Sequence, residues 1–168
     1  VFTPVHWPET SLAVWLSKNM RRGESIGFDP WLHTVSEIEK AQNDLVDAGI
    51  SLKPIVNPID KLWKDRPGKP ISKAFFYDEK YSGQSHLDKL TNLAKQLKQN
   101  KHSATIITLP ENISWLLNIR GNDVAHVPII HCVGILHADA SFDLFVDHRK
   151  VADIQPYLGK AVRFHGID

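Results

Sequence analysis

The sequence is poor in several features that would mark a specialised class of protein. It contains a single cysteine, Cys132, which excludes an intrachain disulfide framework, and a thiol in an apolar run is expected to be buried and inert. No stretch approaches the ~20 apolar residues needed to cross a bilayer, and no leader peptide is evident. With 20 basic and 19 acidic residues the net charge is +1, so there is no electrostatic footprint for nucleic acid or membrane. We therefore expect a cytoplasmic protein with neither of these partners.

The motifs of common hydrolytic and cofactor chemistry are also missing. There is no H-E-x-x-H or paired C-x-x-C, no G-x-S-x-G around a serine, and no phosphate-binding glycine loop. Asp139, Asp143 and Asp147 are regularly spaced, but we interpret them as a turn residue and the solvent-facing side of a strand. His131 and His137 share a strand face, yet lie ~20 Å apart in an extended chain, too far to share one ion. We expect this chain to hold no metal or other cofactor.

What the sequence does contain is an alternation of helical and strand patterns. Thr34 with Glu37, and Ser85 with Asp88, each open an amphipathic stretch of helical period. Short β-branched runs lie between such stretches, and residues 138–141, ADAS, flanked by two strand patterns, predict a hairpin. Strands separated by helices indicate an α/β fold, and the hairpin makes the sheet mixed. The predicted fold class is therefore α/β, with a mixed β-sheet flanked by helices.

Three segments, in this order, carry a family resemblance. They are residues 26–34, IGFDPWLHT, residues 57–67, NPIDKLWKDRP, and residues 114–128, SWLLNIRGNDVAHVP. A weaker fourth begins with YSGQS at residues 81–85. Together they resemble the N-terminal, non-catalytic region of three-domain Xaa-Pro aminopeptidases, the aminopeptidase P branch of the creatinase/prolidase superfamily and of the M24 peptidases.

The resemblance implies a domain organisation. Enzymes of this family carry two successive creatinase-N-like domains, each a six-stranded mixed sheet with helices, ahead of a "pita-bread" catalytic domain. Residues 1–56 then correspond to the C-terminal half of the first domain, 57–84 to a linker, and 85–168 to the N-terminal part of the second. Soluble domains avoid open sheet edges, so there are two alternatives for these incomplete halves. In one, the two halves close into one six-stranded sheet. In the other, a second chain completes two partial lobes.

The resemblance also implies a function that this chain does not perform alone. The family's enzymes remove the N-terminal residue preceding proline, using two divalent metal ions, manganese or zinc, to activate water and polarise the carbonyl. Two ligand aspartates of that site are eleven positions apart, and no aspartate pair here has that separation. We expect a region, inactive by itself, that shapes substrate access and oligomerisation. Its partners would be proline-containing peptides, the catalytic domain and a second copy in a homodimer. The alternative is a stand-alone creatinase-like binding module without peptidase activity.

Arg120, Asp123 and His126 are the candidate substrate-binding residues. They lie in a polar loop that follows an apolar helix, which is expected to end abruptly at Arg120 and Gly121. A guanidinium can form paired hydrogen bonds with a peptide carboxylate or carbonyl, and an imidazole can hold another polar group. In the structural alternative, Arg120 and Asp123 pair to fix the turn, and Gly121 is the left-handed residue that stops the helix.

Overall fold

A computed structural model describes residues 4–6 and 8–167, and the chain divides into two compact units at Pro67 and Gly68. The outermost residues of the predicted ranges, 1–3 and 168, lie outside the described residues. Within the described ranges, no helix combines the length and the apolar character that crossing a membrane requires.

The first unit packs helices on a two-stranded parallel sheet. Parallel strands need a crossover connection, and the helix α2 (Val35–Leu45) provides it. Thr34 and Glu37 form the predicted capping box at its start. The Gln42 side chain then serves the following strand, accepting from the N–H of Leu52 at 2.8 Å and donating to the carbonyl of Ile50 at 3.2 Å. The elements are α1 (Leu12–Asn19), β1 (Ser25–Phe28), a 3-10 turn (Pro30–Leu32), α2 (Val35–Leu45), β2 (Ser51–Pro54) and α3 (Pro58–Leu62).

The second unit contains a four-stranded mixed sheet, antiparallel except for the parallel pair β7 and β8. Its strands are, in spatial order, β4 (Ala104–Ile107), β6 (Val133–His137), β7 (Phe142–Phe145) and β8 (Val162–His165). A separate antiparallel pair joins β3 (Phe75–Phe76) to β5 (Ile119–Arg120). The predicted mixed α/β fold and the hairpin turn at residues 138–141 are both present. The elements are β3 (Phe75–Phe76), α4 (Glu79–Ser82), α5 (His86–Gln99), β4 (Ala104–Ile107), α6 (Pro110–Leu117), β5 (Ile119–Arg120), β6 (Val133–His137), β7 (Phe142–Phe145), α7 (His148–Val151), α8 (Gln155–Leu158), a 3-10 turn (Gly159–Ala161) and β8 (Val162–His165).

Two expectations about domain organisation differ from the structure. In the described residues β2 pairs with β1, and the ladders of β4, β6, β7 and β8 stay among themselves, so the single six-stranded sheet does not form. The predicted linker 57–84 is only partly a connection, because Phe75–Phe76 pairs with Ile119–Arg120 and residues from 68 onward belong to the second unit. The prolines and charged residues of this segment are typical of a linker, and local sequence does not reveal that some of its residues contact residues far along the chain. The assignment of 1–56 and 85–168 to two incomplete domains stays a prediction.

Candidate functional site

The apolar helix before the candidate loop ends earlier than predicted. α6 stops at Leu117, and Asn118 is the left-handed residue, with φ 51° and ψ 46°. Asparagine tolerates this conformation better than most residues. The prediction that Gly121 stops the helix was wrong. Gly121 is instead required by close packing, because a Cβ there would lie 2.3 Å from Cγ2 of Ile130.

Asp123 is the centre of a buried polar cluster rather than an open ligand. Its side chain is 0% exposed. Oδ1 accepts hydrogen bonds from the backbone N–H of Ser72 at 3.1 Å and from its hydroxyl at 2.8 Å. Oδ2 accepts from the N–H of His131 at 2.7 Å and from Nζ of Lys150. We call Asp123, Ser72, His131 and Lys150 the Asp123 hub. An ionised carboxylate offers about four lone-pair positions, so this one has none left for a substrate.

The hub is electrostatically balanced although it is buried. Burial raises the pKa of Asp123, but hydrogen bonds from Lys150, the His131 backbone and Ser72 outweigh that effect, so its pKa lies below the usual value. The Lys150 side chain is only 5% exposed. Because a buried charge is costly without a partner, neither member of this ion pair is dispensable. The hub therefore anchors the loop that follows β5 to two distant parts of the second unit.

Arg120 sits at the carboxyl end of α6. Its Nη1 donates to the carbonyl of Ser114 at 2.9 Å and to that of Ile119 at 2.7 Å, and Cζ lies 4.5 Å from the centre of the Tyr77 ring. The expected pairing of Arg120 with Asp123 was wrong, since Asp123 pairs with Lys150. Within the described residues, Nε and Nη2 of Arg120 make no hydrogen bond. The guanidinium is thus held in place through Nη1, and its Nε and Nη2 donors remain available to a ligand.

A second cation at the same helix end was missed by sequence reasoning. Lys89 is buried on α5, where Nζ donates to the carbonyl of Trp115 at 2.8 Å and to Oδ1 of Asn118 at 2.6 Å. Burial, and then the charge of Arg120, lower its pKa. Two cations at one carboxyl terminus suit the negative end of the helix dipole. The sequence did indicate that Lys89 is buried, because it lies four residues before Leu93 and therefore on the apolar stripe of α5.

His126 occupies the tip of an exposed turn. Val124 and Val127 form a β-bridge across it, and the N–H of Val127 donates to the carbonyl of Val124 at 3.2 Å. His126 itself takes a left-handed conformation, with φ 65°. Among the described residues no hydrogen bond joins it to Arg120 or Asp123. The three candidates are therefore one buried scaffold residue and two separate polar groups, and they do not form a single catalytic constellation.

The side chains of the described residues do not fit a two-metal centre. In the described ranges no group of three or more His, Cys, Asp or Glu side chains is placed to hold a metal ion. The nearest approach is Asp143, which contacts Nε2 of His137 at 2.6 Å and Nε2 of His165 at 2.8 Å. Arg163 occupies both of its carboxylate oxygens, at 2.6 and 2.8 Å. As interpreted from the sequence, Asp143 lies on the less buried face of β7, opposite to Phe142 and Leu144, although its ion pairs leave its side chain only 14% exposed.

A cavity of about 460 Å³ in the second unit is lined by Lys69, Thr108, His131 and Cys132, among others. The cavity lies beside the carboxyl end of β4 and the start of β6. Burial raises the pKa of the Cys132 thiol to about 12. Since the thiolate is the reactive form, Cys132 stays protonated at neutral pH and is not a nucleophile.

Comparison with known proteins agrees with the fold and with the resemblance seen in the sequence. The Creatinase/Prolidase N-terminal domain family matches residues 65–168. Aminopeptidase P1 of Lotus japonicus is 33% identical over 152 residues, which are 89% of this chain and 23% of that protein. The probable Xaa-Pro aminopeptidase P of Neurospora crassa is 34% identical over 150 residues, 87% of this chain and 22% of that protein.

A solved structure is similar to most of this chain. The crystal structure of X-prolyl aminopeptidase from Caenorhabditis elegans, a cytosolic enzyme with a di-nuclear active site, matches with a TM-score of 0.80 and 30% identity. The match covers 93% of this chain and 26% of that one. The chain thus spans about a quarter of the length of the relatives it matches. The predicted resemblance and fold class are confirmed, and the chain belongs to the creatinase/prolidase N-terminal domain family.

Proposed function

We propose that this chain serves as a non-catalytic N-terminal region of a metal-dependent Xaa-Pro aminopeptidase, which removes the N-terminal residue preceding proline. The observation that carries the proposal is coverage: nearly the whole chain aligns with only about a quarter of several Xaa-Pro aminopeptidases. The described residues also offer no donor set for a metal pair. The reaction chemistry would then belong to the remainder of the enzyme, where two divalent metal ions, manganese or zinc, activate water and polarise the scissile carbonyl.

In this proposal the three candidate residues have different roles. Arg120 contacts the peptide, because its guanidinium is held rigidly and retains Nε and Nη2 as donors for a carbonyl or carboxylate. His126 contributes a second polar group from its exposed turn. Asp123 is a positioning residue, since all its acceptor capacity goes to the hub. The region would thereby shape substrate access beside the catalytic domain.

Two further features belong to the same proposal. A homodimer is expected, with this region contributing to the contact between copies. A cytoplasmic location is supported by the single cysteine of the chain and by the C. elegans relative, which is a cytosolic enzyme.

The proposal is tested first by assaying the purified chain and the complete enzyme on a peptide that begins Arg-Pro-Pro, with manganese added. The chain alone should release no arginine, whereas the complete enzyme should release it. Turnover by the isolated chain at a rate near that of the complete enzyme would contradict a non-catalytic role.

The role of Arg120 is tested in the complete enzyme by Arg120→Ala. Loss of a charge-assisted contact to the substrate should lower kcat/KM about tenfold to a hundredfold, since such bonds contribute roughly 1.5–3 kcal/mol. Arg149→Ala is the matched control, because Arg149 is exposed and pairs only with the neighbouring Asp147 among the described residues. An unchanged kcat/KM for Arg120→Ala would leave that residue only its structural role.

A further inference from the structure

Three rings from three elements of the second unit pack in one row. The Tyr157 ring of α8 lies between two others: its centre is 5.0 Å from that of Phe76 on β3 and 4.9 Å from that of His86 on α5. Phe76 is 55% exposed, whereas His86 is only 6% exposed. The row therefore joins β3 and α8 to the start of α5 through a histidine that is enclosed by protein. We call Phe76, Tyr157 and His86 the aromatic latch.

The His86 imidazole is enclosed without the partners that its charged form requires. Nε2 is buried and has no hydrogen-bond partner among the described residues. A neutral imidazole leaves one ring nitrogen as an acceptor, whereas a protonated imidazole carries an N–H donor on both nitrogens. Because a buried charge is costly unless it is paired and hydrogen-bonded, the closed latch favours the neutral form of His86.

The groups around His86 strengthen this preference on balance. Burial has the largest effect in lowering the pKa of His86, and the charge of Lys89, one turn further along α5, acts in the same direction. His86 is also the first residue of α5, at the positive end of the helix dipole. The carbonyl of Leu158 and the charge of Glu79 favour protonation, but Glu79 is exposed to solvent. Burial raises the pKa of Tyr157, so its phenol stays neutral in acid.

We propose that the aromatic latch is an acid-sensitive device: His86 takes a proton from solvent when the Tyr157 ring moves away, so acid favours a state in which α8 and β3 are released from α5. No covalent bond changes in this step. Because β3 pairs with β5, where Phe75 lies opposite Arg120, release of the latch also loosens the strand that carries Arg120. The inference goes beyond the proposed function, since the latch requires neither a metal ion nor a catalytic domain.

The direction and size of the effect follow from the two states of His86. With the latch open, the imidazole is in water and binds a proton near its ordinary pKa of 6.5, whereas its pKa is lower with the latch closed. The closed state is therefore favoured most above pH 6.5, and this preference is lost as the pH falls from 6.5 toward the closed-state value. At pH 5.5 the ratio of open to closed molecules should exceed that at pH 7.5 several-fold, up to about tenfold.

The test is amide hydrogen exchange of the 168-residue chain, labelled with ¹⁵N, at pH 7.5, 6.5 and 5.5. Each rate is compared with that of an unstructured peptide at the same pH, which gives the ratio of open to closed forms. The N–H of Tyr77 bonds to the carbonyl of Asn118, and the N–H of Leu158 bonds to that of Ile154, so these amides report on β3 and α8. Their opening should rise together by the stated factor, while amides of β6 keep their protection. No rise at these two amides, or an equal rise in β6, would overturn the proposal.

Variants identify the group that binds the proton. His86→Phe keeps a ring against Tyr157 but cannot be protonated, so the opening at Tyr77 and Leu158 should no longer change between pH 7.5 and 5.5. His86→Gln also lacks the titration and replaces the phenylalanine variant if that variant does not fold. His102→Gln is the matched control, because His102 is exposed, and it should leave the pH dependence intact. A dependence that survives the change at His86, or that disappears in His102→Gln, would overturn the proposal.

A direct titration of the imidazole separates the latch from other acid effects. The ¹⁵N ring resonances of His86 in the unaltered chain should show a midpoint below 6.5, and a midpoint at or above 6.5 would overturn the proposal. His137 and His165 contact Asp143 in the four-stranded sheet, so a pH effect that originates there would lower protection in β6, β7 and β8. That pattern, without opening of β3 and α8, would also overturn it. The pKa values of Asp123 and Asp143 are lowered, so both carboxylates stay ionised over the pH range of the experiment.

Discussion

The two units of the chain are stabilised differently. In the described part of the first unit, the buried core is a small cluster formed by Ala13, Leu16, Leu45 and Ile50 beside a two-stranded sheet. The second unit buries apolar residues from its four-stranded sheet and from several helices in one larger cluster. It also holds an ion pair in its interior. The first unit thus depends on a few apolar contacts, whereas the second combines apolar burial with a polar centre.

The comparison predicts which unit is weaker. Apolar burial contributes about 25 cal/mol per Å², and a two-stranded sheet is marginally stable by itself. The first unit also leaves large apolar side chains in solvent, such as Trp31, which is 91% exposed, and Val35. We therefore expect the first unit to lose its structure at a lower denaturant concentration than the second, when backbone amides of each unit are followed separately by NMR.

The largest single effect is expected from breaking the polar centre of the second unit. Asp123→Ala leaves Lys150 as a buried cation without its partner and removes the acceptor for Ser72 and for the N–H of His131. Removing one partner of a buried ion pair typically costs about 3–5 kcal/mol. The free energy of unfolding measured on amides of the second unit should fall by that amount, while the first unit should be unaffected.

An exposed ion pair nearby provides the matched control. Nζ of Lys73 lies 2.8 Å from Asp153, and both side chains are mostly in solvent. Asp153→Ala should cost no more than about 1 kcal/mol, since exposed pairs are screened by water. If Asp123→Ala destabilised the second unit no more than Asp153→Ala does, the buried hub would not be its structural centre.

The second prediction compares equal changes in the two apolar cores. Leu45 and Leu90 are both fully buried, and truncating a buried leucine to alanine costs about 2–5 kcal/mol. In the first unit Leu45→Ala truncates the most deeply buried member of a small cluster, so protection of its amides from hydrogen exchange should be lost throughout that unit. Leu90→Ala should lower protection in the second unit without abolishing it. Persistent protection around α2 in Leu45→Ala would show that the first unit is held by something other than this cluster.

The third prediction uses two glycines of the second unit. Gly121→Ala places a methyl group 2.3 Å from Cγ2 of Ile130, and overpacking of this kind costs about 1–3 kcal/mol. Gly68→Ala is the control, because nothing lies within 4 Å of the new Cβ and the residue has no left-handed φ. Denaturation midpoints should therefore fall for Gly121→Ala and stay unchanged for Gly68→Ala. Equal midpoints would mean that the loop after β5 shifts freely to admit the methyl group.

The sequence predicted well those features that depend on neighbouring residues. The Thr34 and Glu37 capping box, the Ser85 start of α5 and the turn at residues 138–141 are set by residues within a few positions of each other. The mixed α/β class followed from the alternation of such elements. Most of the first unit is of this local kind, so its secondary structure was predictable although we expect it to be the less stable unit.

The candidate site was less predictable because its contacts span long distances in sequence. Asp123 bonds to Ser72, 51 residues away, and to Lys150, 27 residues away. No spacing rule distinguishes Lys150 from the more local partner Arg120, which was chosen instead. The role of Gly121 was misjudged for a related reason. Local rules favour glycine as a helix stop, whereas here the approach of Ile130 requires it.

The last prediction concerns acid, where the stabilities of the two units should depend differently on pH. Hydrogen bonds from Arg163 lower the pKa of Asp143, and the pKa of Asp123 is lowered as well. A carboxylate whose pKa is lower in the folded state stabilises the fold fully above its unfolded value, and this stabilisation is lost as pH falls through the folded value. The unfolded value is close to 3.8. The second unit should therefore lose stability as the pH falls below about 4, because two of its partly or fully buried carboxylates must then bind protons.

The first unit provides the internal reference for this experiment. Its Glu37 also has a lowered pKa, caused mainly by the hydrogen bond from the Thr34 backbone, but it is exposed at the surface. Denaturation followed on separate amides at pH 7, 5 and 3 should show a steeper loss in the second unit than in the first. Asp143→Asn should flatten part of that slope, since it removes one titrating group while retaining a hydrogen-bonding side chain. An equal slope in both units, unchanged by Asp143→Asn, would mean that the buried carboxylates are balanced by equally strong interactions in the unfolded chain.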